Sequence, residues 1–140
     1  MISFQTISIT HPNINEQAVR AWIQNVAACY SRRVGNISYI FVDDSEILNI
    51  NRQYLQHDYY TDIITFDYSS ESFISGDLFI SLDTVRSNAT EYHVPYDEEL
   101  HRVIIHGILH LCGINDKGPG EREIMENAEN KALSMRTAGI

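Results

Sequence analysis

Residues Glu98 to Gly118 read EELHRVIIHGILHLCGINDKG, and the reading of this stretch decides the rest. Val103, Ile104, Ile105, Ile108, Leu109 and Leu111 make it largely apolar, which predicts a buried helix. Two histidines interrupt the apolar run four residues apart. At that spacing His106 and His110 lie one above the other on one helix face and present both imidazoles to one point. As plain core residues they would each need a buried hydrogen-bond partner, so a metal ion is the better account. Gly113 stops the helix and, in a left-handed conformation, turns the chain back toward the face it has left. That brings up Asp116, and the pattern becomes HxxxHxxGxxD, with two nitrogens and one carboxylate oxygen. Three protein ligands and one open position make the arrangement of a catalytic zinc site, one ion per chain, whereas a structural site normally closes with four.

The same stretch narrows the chemistry. Gly107 occupies the place where a zinc peptidase of the HExxH type carries its glutamate, so peptide hydrolysis of that kind is disfavoured. Zinc lowers the pKa of its bound water toward about 7 and neutralises an oxyanion that develops on a phosphoryl or carbonyl group. His101 lies about 140 degrees round the helix from His106 and is not counted as a ligand. Cys112 turns away from His110 and is read as core. Glu99, seven residues before His106 and so on the same face two turns away, is read as a supporting or capping residue.

With 140 residues, 44 % of them hydrophobic, the chain has material for one well-formed core, and residues 1–140 are read as a single domain. The opening MISFQTISITHPN has neither the basic start nor the apolar run of a secretion signal, and no stretch approaches the roughly 20 apolar residues that span a bilayer. A cytoplasmic protein is expected. Cys29 and Cys112 lack metal-ligand spacing to each other and are expected to be reduced and buried. A net charge of −9 argues against broad electrostatic attraction to nucleic acid or an anionic membrane. The acidic residues run together at Val42 to Glu46, Asp97 to Glu99 and Glu121 to Glu129, which leaves room for a local basic patch.

Alternating elements without repeats or long linkers predict an α+β fold, a mixed sheet of about four strands packed with helices. MISFQTISI reads as a strand. Asn15 opens a helix with Val19, Trp22, Ile23, Val26 and Cys29 at helical spacing. NISYIFVD is a second strand, and Asp44 caps a short helix that turns Ile47, Leu48, Ile50 and Leu55 inward. DIITFDY and SGDLFISLDT are two more strands, followed by a helix near Leu82 to Tyr92. After Pro95, with Asp97 as cap, comes the central helix, then a loop, then a last helix from about Glu121 to Met135. Strand order does not follow from these signals.

Three blocks carry a family resemblance. HGILHLCGIND is similar to the signature HGxLHLxGYDH of the YbeY family of bacterial endoribonucleases and rRNA maturation factors. Upstream, NRQYLQHDYYTDIITFDY resembles its NxxYRxxDxPTDVLSFP block, and GDLFIS resembles its GDIxIS strand. The blocks stand in family order from Asn51 to Asp116. The resemblance implies a compact α+β fold, one zinc ion, cleavage within single-stranded RNA, and work on the 3′ end of 16S rRNA and in ribosome quality control. Single-stranded RNA, rRNA and ribosomal particles are the implied partners, with no DNA and no membrane. His106 and His110 match the first two zinc ligands, and Asp116 stands where the family usually has a third histidine. An oxygen ligand is acceptable to zinc, but it adds negative charge, makes the bound water less acidic and lets harder metals such as manganese compete better.

Asn51, Tyr54, Asp58, Thr61 and Asp62 match the upstream block, while Leu55 replaces its arginine and His57 stands where a lysine is common. Arg52 and Lys117 are therefore the candidate replacements for contact with the scissile phosphate, and His57 the candidate for a hydrogen bond or an imidazolium beside it. Thr61 and Asp62 are read as turn and strand-entry residues, with a cleft carboxylate as the second reading of Asp62. Either metal-activated water or the RNA's own 2′-hydroxyl can attack the phosphorus, and the sequence leaves both routes open. Tyr59, Tyr60 or Tyr68 is expected to stack on bases. Two rival functions stay in view: an assembly factor in which the metal only staples the C-terminal helix, and a zinc peptidase with an unconventional base.

Overall fold

The computed structural model describes residues 1–56, 61–137 and 139–140. Four strands form one sheet in the order β1-β2-β4-β3, built from β1 (Ile2–Thr6), β2 (Arg33–Val42), β3 (Ile63–Asp67) and β4 (Phe73–Ser81). β1, β2 and β4 run parallel, and β3 pairs antiparallel with β4 through Ile63↔Ile80 to Asp67↔Gly76. Five helices, α1 (Glu16–Ala28), α2 (Asp44–Tyr54), α3 (Leu82–Tyr92), α4 (Tyr96–Leu111) and α5 (Glu121–Ser134), complete the mixed α+β fold that the sequence predicts. None of them is long and apolar enough to cross a membrane.

Alternation along the central strands splits the apolar residues into two layers. Ile37, Tyr39 and Phe41 of β2 point to the main core, which they share with Leu78 and Ile80 of β4, with Trp22 and Ile23 of α1 and with the apolar side of α4. Ile40 and Val42 point the other way and meet Ile47 and Ile50 of α2 and Ile64 of β3. Within the main core the Tyr39 hydroxyl donates to the Ile104 carbonyl at 2.8 Å, so the largest polar atom brought in by β2 is matched by α4.

Helix α4 runs across β4 with Gly107 toward the sheet. A Cβ at this position would be driven into Leu78 Cδ2 and would stand 3.0 Å from Ile63 Cδ1. Leu78 is fully buried, so it has little room to yield. This explains why position 107 carries no acid: a glutamate there would be pressed into the apolar layer.

Several local expectations shift. Asp43, not Asp44, caps α2, accepting from Glu46 N at 2.8 Å. Asp44 instead accepts from the Ser81 and Thr84 hydroxyls, at 2.6 and 2.5 Å, and so ties α2 to the start of α3. Pro95 takes the cap position of α4, and Asp97 lies inside the first turn, where its charge suits the helix N-terminus. β4 ends at Ser81, whose hydroxyl accepts from Thr84 N and starts α3, so Leu82 to Thr84 are helical rather than extended. Leu48 is half-buried and Leu55, past the end of α2, is exposed rather than turned inward. Cys29, the C-terminal cap of α1, is exposed with its thiol 3.5 Å from the Asn25 carbonyl, while Cys112 packs against the core with its thiol pushed up to about 11 by burial despite Arg32 nearby.

Replacing Gly107 by alanine is expected to lower stability by about 1–3 kcal/mol through overpacking, read as a shift of the urea midpoint at unchanged slope. An unshifted midpoint would mean that α4 lifts from β4 without cost.

Candidate active site

The site forms where α4 and the turn after it face the start of β3 and the end of α2. Gly113 has φ +101°, the left-handed conformation expected of it, and the chain returns through Asn115 to Asp116. Asp116 Oδ2 then stands 3.4 Å from His106 Nε2. The other ring nitrogen of His106, Nδ1, donates to Glu129 Oε2 at 2.6 Å. A carboxylate at Nδ1 fixes the proton there and leaves the Nε2 lone pair directed at Asp116. Burial lowers the affinity of His106 for a second proton, but the hydrogen bond to Glu129 and the charges of Glu129, Asp116 and Asp62 outweigh it and the pKa is raised.

Glu129 is the functional residue that sequence reading misses. It is nine-tenths buried on α5, and it also receives Arg102 Nη1 at 2.9 Å, while the second arm of Arg102 reaches Asn130 at 2.7 Å. A signal for it exists. In EREIMENAENKALS the apolar stripe runs through Met125, Ala132 and Leu133, and Glu129 falls in phase with it. A carboxylate on the buried face of a helix needs a partner, which His106 and Arg102 provide.

His106, Asp116 and Asp62 line two lobes of one trough. The smaller lobe, about 240 Å³, adds His110, Lys117, Asn51 and Leu55 to these three. The larger, about 490 Å³, runs along α4 toward α3 past Glu99, Arg102 and Asn88, with Tyr92 and Arg122 among its outer residues. Asp62 thus takes the cleft position that was its second reading. Its carboxyl is raised by burial, partly offset by His106, and it accepts from Asn88 Nδ2 at 3.4 Å. Glu99 is 4 % exposed, and burial, reinforced by Asp62 and only partly offset by Arg102, pushes its carboxyl up to about 7.

The other sequence candidates fall as follows. Lys117 lines the smaller lobe, whereas Arg52 is exposed on α2 and is not among the lining residues. His57 lies outside the described residues, as do Asp58, Tyr59 and Tyr60. Tyr68 is exposed at the end of β3, with its hydroxyl 3.3 Å from Asp77, away from both lobes. His101 is buried beside Trp22, with Nδ1 2.7 Å from the Asp97 carbonyl, and among the described residues Nε2 has no partner.

The donor set fits a metal ion in its chemistry. Two ligands each about 2.0–2.1 Å from a tetrahedral zinc stand roughly 3.3 Å apart, close to the 3.4 Å between His106 Nε2 and Asp116 Oδ2. His110, one turn on, lines the same lobe, although among the described residues no three His, Cys, Asp or Glu side chains are gathered closely enough to hold an ion together.

Fold and cleft together are those of an α+β domain whose candidate site is built from one buried helix and the turn after it. The chain belongs to the endoribonuclease YbeY family, whose model matches residues 4–136. Over 135 residues it is 70 % identical to the endoribonuclease YbeY of Phocaeicola vulgatus and 66 % identical to that of Bacteroides thetaiotaomicron, covering 96 % of this chain and 98 % of each relative. Its fold is similar to the solution structure of a Thermotoga maritima protein at a TM-score of 0.67 and 25 % identity, covering 96 % of this chain and 88 % of that one.

Two expectations follow from this geometry. Glu129→Gln leaves the shape of the His106 contact but not its charge, and zinc affinity measured by competition with a chelator is expected to fall roughly 10- to 100-fold; unchanged affinity would detach Glu129 from the site. For Glu99, a folded pKa near 7 against an ordinary value of 4.5 means that the folded state holds more protons between those limits. Its contribution to stability is therefore full at low pH and is lost as pH rises from about 4.5 to 7. Glu99→Gln removes that loss, so its thermal midpoint is expected to exceed the wild type's more at pH 8 than at pH 5. The difference should correspond to roughly 1–3 kcal/mol, and a pH-independent gap would mean that Glu99 is ionised throughout.

Proposed function

We propose that this chain is a zinc-dependent endoribonuclease that cuts single-stranded RNA in the cytoplasm, with rRNA of ribosomal particles, at the 3′ end of 16S rRNA, as its substrate and ribosome quality control as its setting. Family membership supplies the reaction class, cleavage of RNA phosphodiester bonds. The observation that carries the metal reading is the line Glu129, His106, Asp116, in which a buried carboxylate orients an imidazole toward a second donor across an open cleft. His106, His110 and Asp116 are the residues that would hold the ion. When bound, zinc supplies an activated water or neutralises charge that develops on the phosphoryl group.

The chain's own residues manage the rest. Lys117, in the smaller lobe, is the cation for a non-bridging phosphate oxygen, a role that Arg52 and His57 are left to share. Leu55 lies in the same lobe where the family pattern has an arginine, so this lobe meets RNA with one cation fewer. Asp62, raised by burial and directed into the trough, is placed to accept a proton from an attacking hydroxyl. A peptidase is disfavoured by Gly107, whose Cα faces Leu78 and not the cleft.

Leu55 also favours one second reading, an assembly factor whose metal is structural. Incubating single-stranded rRNA with the purified protein and with His110→Ala, with metal content measured on both, separates the two. Cleavage and metal are expected to disappear together in the variant, with a loss of at least about 100-fold in rate. Bound metal without cleavage by the wild type would move the function to assembly.

A further inference from the structure

The larger lobe shares His106, Asp116 and Asp62 with the smaller one, and it extends from them along α4 to a volume of about 490 Å³. Three of its residues leave chemistry open to a ligand, one buried and two at the rim. The carboxyl of Glu99 is 4 % exposed and, among the described residues, neither accepts a hydrogen bond nor forms an ion pair, although it faces the cavity. A buried carboxyl in that condition pays a desolvation cost that N–H donors from a ligand would relieve. Tyr92 is 53 % exposed at the end of α3, and its ring meets no other ring or cation among the described residues. Arg122, exposed in the first turn of α5, pairs with no acid among them. By contrast Arg102, Glu129 and Asn88 in the same lobe already have partners.

A π-face, an unpartnered acceptor pair in a buried pocket and a cation at the rim match the three parts of a nucleotide. We propose that the larger lobe is a base pocket that selects guanine next to the cut, with the base stacked on Tyr92, its N1–H and N2–H donated to the two oxygens of Glu99, and its phosphate toward Arg122. This rests on the ribonuclease reading and adds to it a sequence preference. Single-stranded RNA is the substrate form that allows such a pose, because an unstacked base can enter a pocket by its Watson–Crick edge and stack on an aromatic ring. Guanine alone offers two adjacent N–H donors on that edge, and a carboxylate is acceptor-only. With Asp62 and Glu129 on the same lobe, negative potential favours the donor edge of a base and keeps the phosphate at the rim. A neutral acid would instead suit adenine or cytosine, so the test is made at pH 8, where Glu99 is mainly ionised.

Guanosine, inosine and adenosine 5′-monophosphates are titrated into the protein and followed by amide chemical shifts. In parallel, single-stranded RNAs that differ only by guanine, inosine or adenine beside the cut are assayed for cleavage. Guanosine monophosphate is expected to bind roughly tenfold or more tightly than adenosine monophosphate, with inosine, which lacks the N2 amine, between them. Glu99→Gln is expected to bring the guanine-to-adenine ratio to near one, and Tyr92→Ala to weaken all three by a similar factor, about fivefold or more. Equal binding of guanosine and adenosine monophosphates, or a ratio that Glu99→Gln leaves unchanged, overturns the base pocket. The inosine series needs no variant and so decides the matter even where a substitution disturbs folding. Guanine preference in binding without cleavage of any RNA keeps the pocket and removes the ribonuclease reading. Cleavage at equal rates beside every base, without nucleotide preference, does the reverse.

Discussion

Helix α4 lies against strand β4 because position 107 presents a hydrogen atom where any other residue presents a carbon. That contact fixes the rotation of the helix about its own axis. With Gly107 turned to Leu78, His106 is rotated about 100 degrees away, toward the trough, and His110 follows it one turn on. Leu100, Ile104, Ile108 and Leu111 are thereby committed to the main core. Both the apolar packing and the direction of the imidazoles follow from one close approach, so the helix cannot turn its histidines elsewhere without giving up its packing.

The polar side of α4 is completed by α5. A carboxylate, a guanidinium and an imidazole, Glu129, Arg102 and His106, satisfy one another in a mostly buried position. Such a group is costly to break in part, because removing one member leaves a charge without a partner, which typically costs about 3–5 kcal/mol. Glu99, on the same helix two turns earlier, has the opposite character: among the described residues its buried carboxyl accepts no hydrogen bond, and burial, with Asp62 nearby, raises its pKa. One trough thus contains a closed polar network at its centre and an open one beside it. The first provides rigidity, and the second provides capacity for a ligand.

Much of this was legible before the fold. The apolar run of α4, the stop at Gly113 and the return to Asp116 follow from helix periodicity and from the conformational freedom of glycine, both of which are local. The mixed sheet was legible as a class but not as an order, because strand neighbours depend on which faces bury together and Tyr39 and Ile40 look alike as apolar residues until their layers are assigned. Cap positions shifted by one or two residues, since Asp43 and Asp44 have the same chemistry and only the entry angle of the chain decides between them. Glu129 was missed for a different reason. It lies 23 residues from His106, and its contact is created by the packing of α5 on α4. The place of Tyr92 and Arg122 beside the larger lobe was likewise invisible, since exposure and proximity are properties of the folded surface.

The single tryptophan of the chain occupies an informative place. Trp22 is buried in α1 beside His101, and its indole N–H donates at 2.8 Å to the carbonyl of Ala132, less than one turn after Glu129 on α5. The indole therefore bridges two elements that are far apart in the chain, and one of them carries the carboxylate that orients His106. Any loosening of α5 lengthens that hydrogen bond and changes the polarity around the ring. The protein thus contains a built-in optical reporter, whose emission follows the seating of the C-terminal helix without any added label.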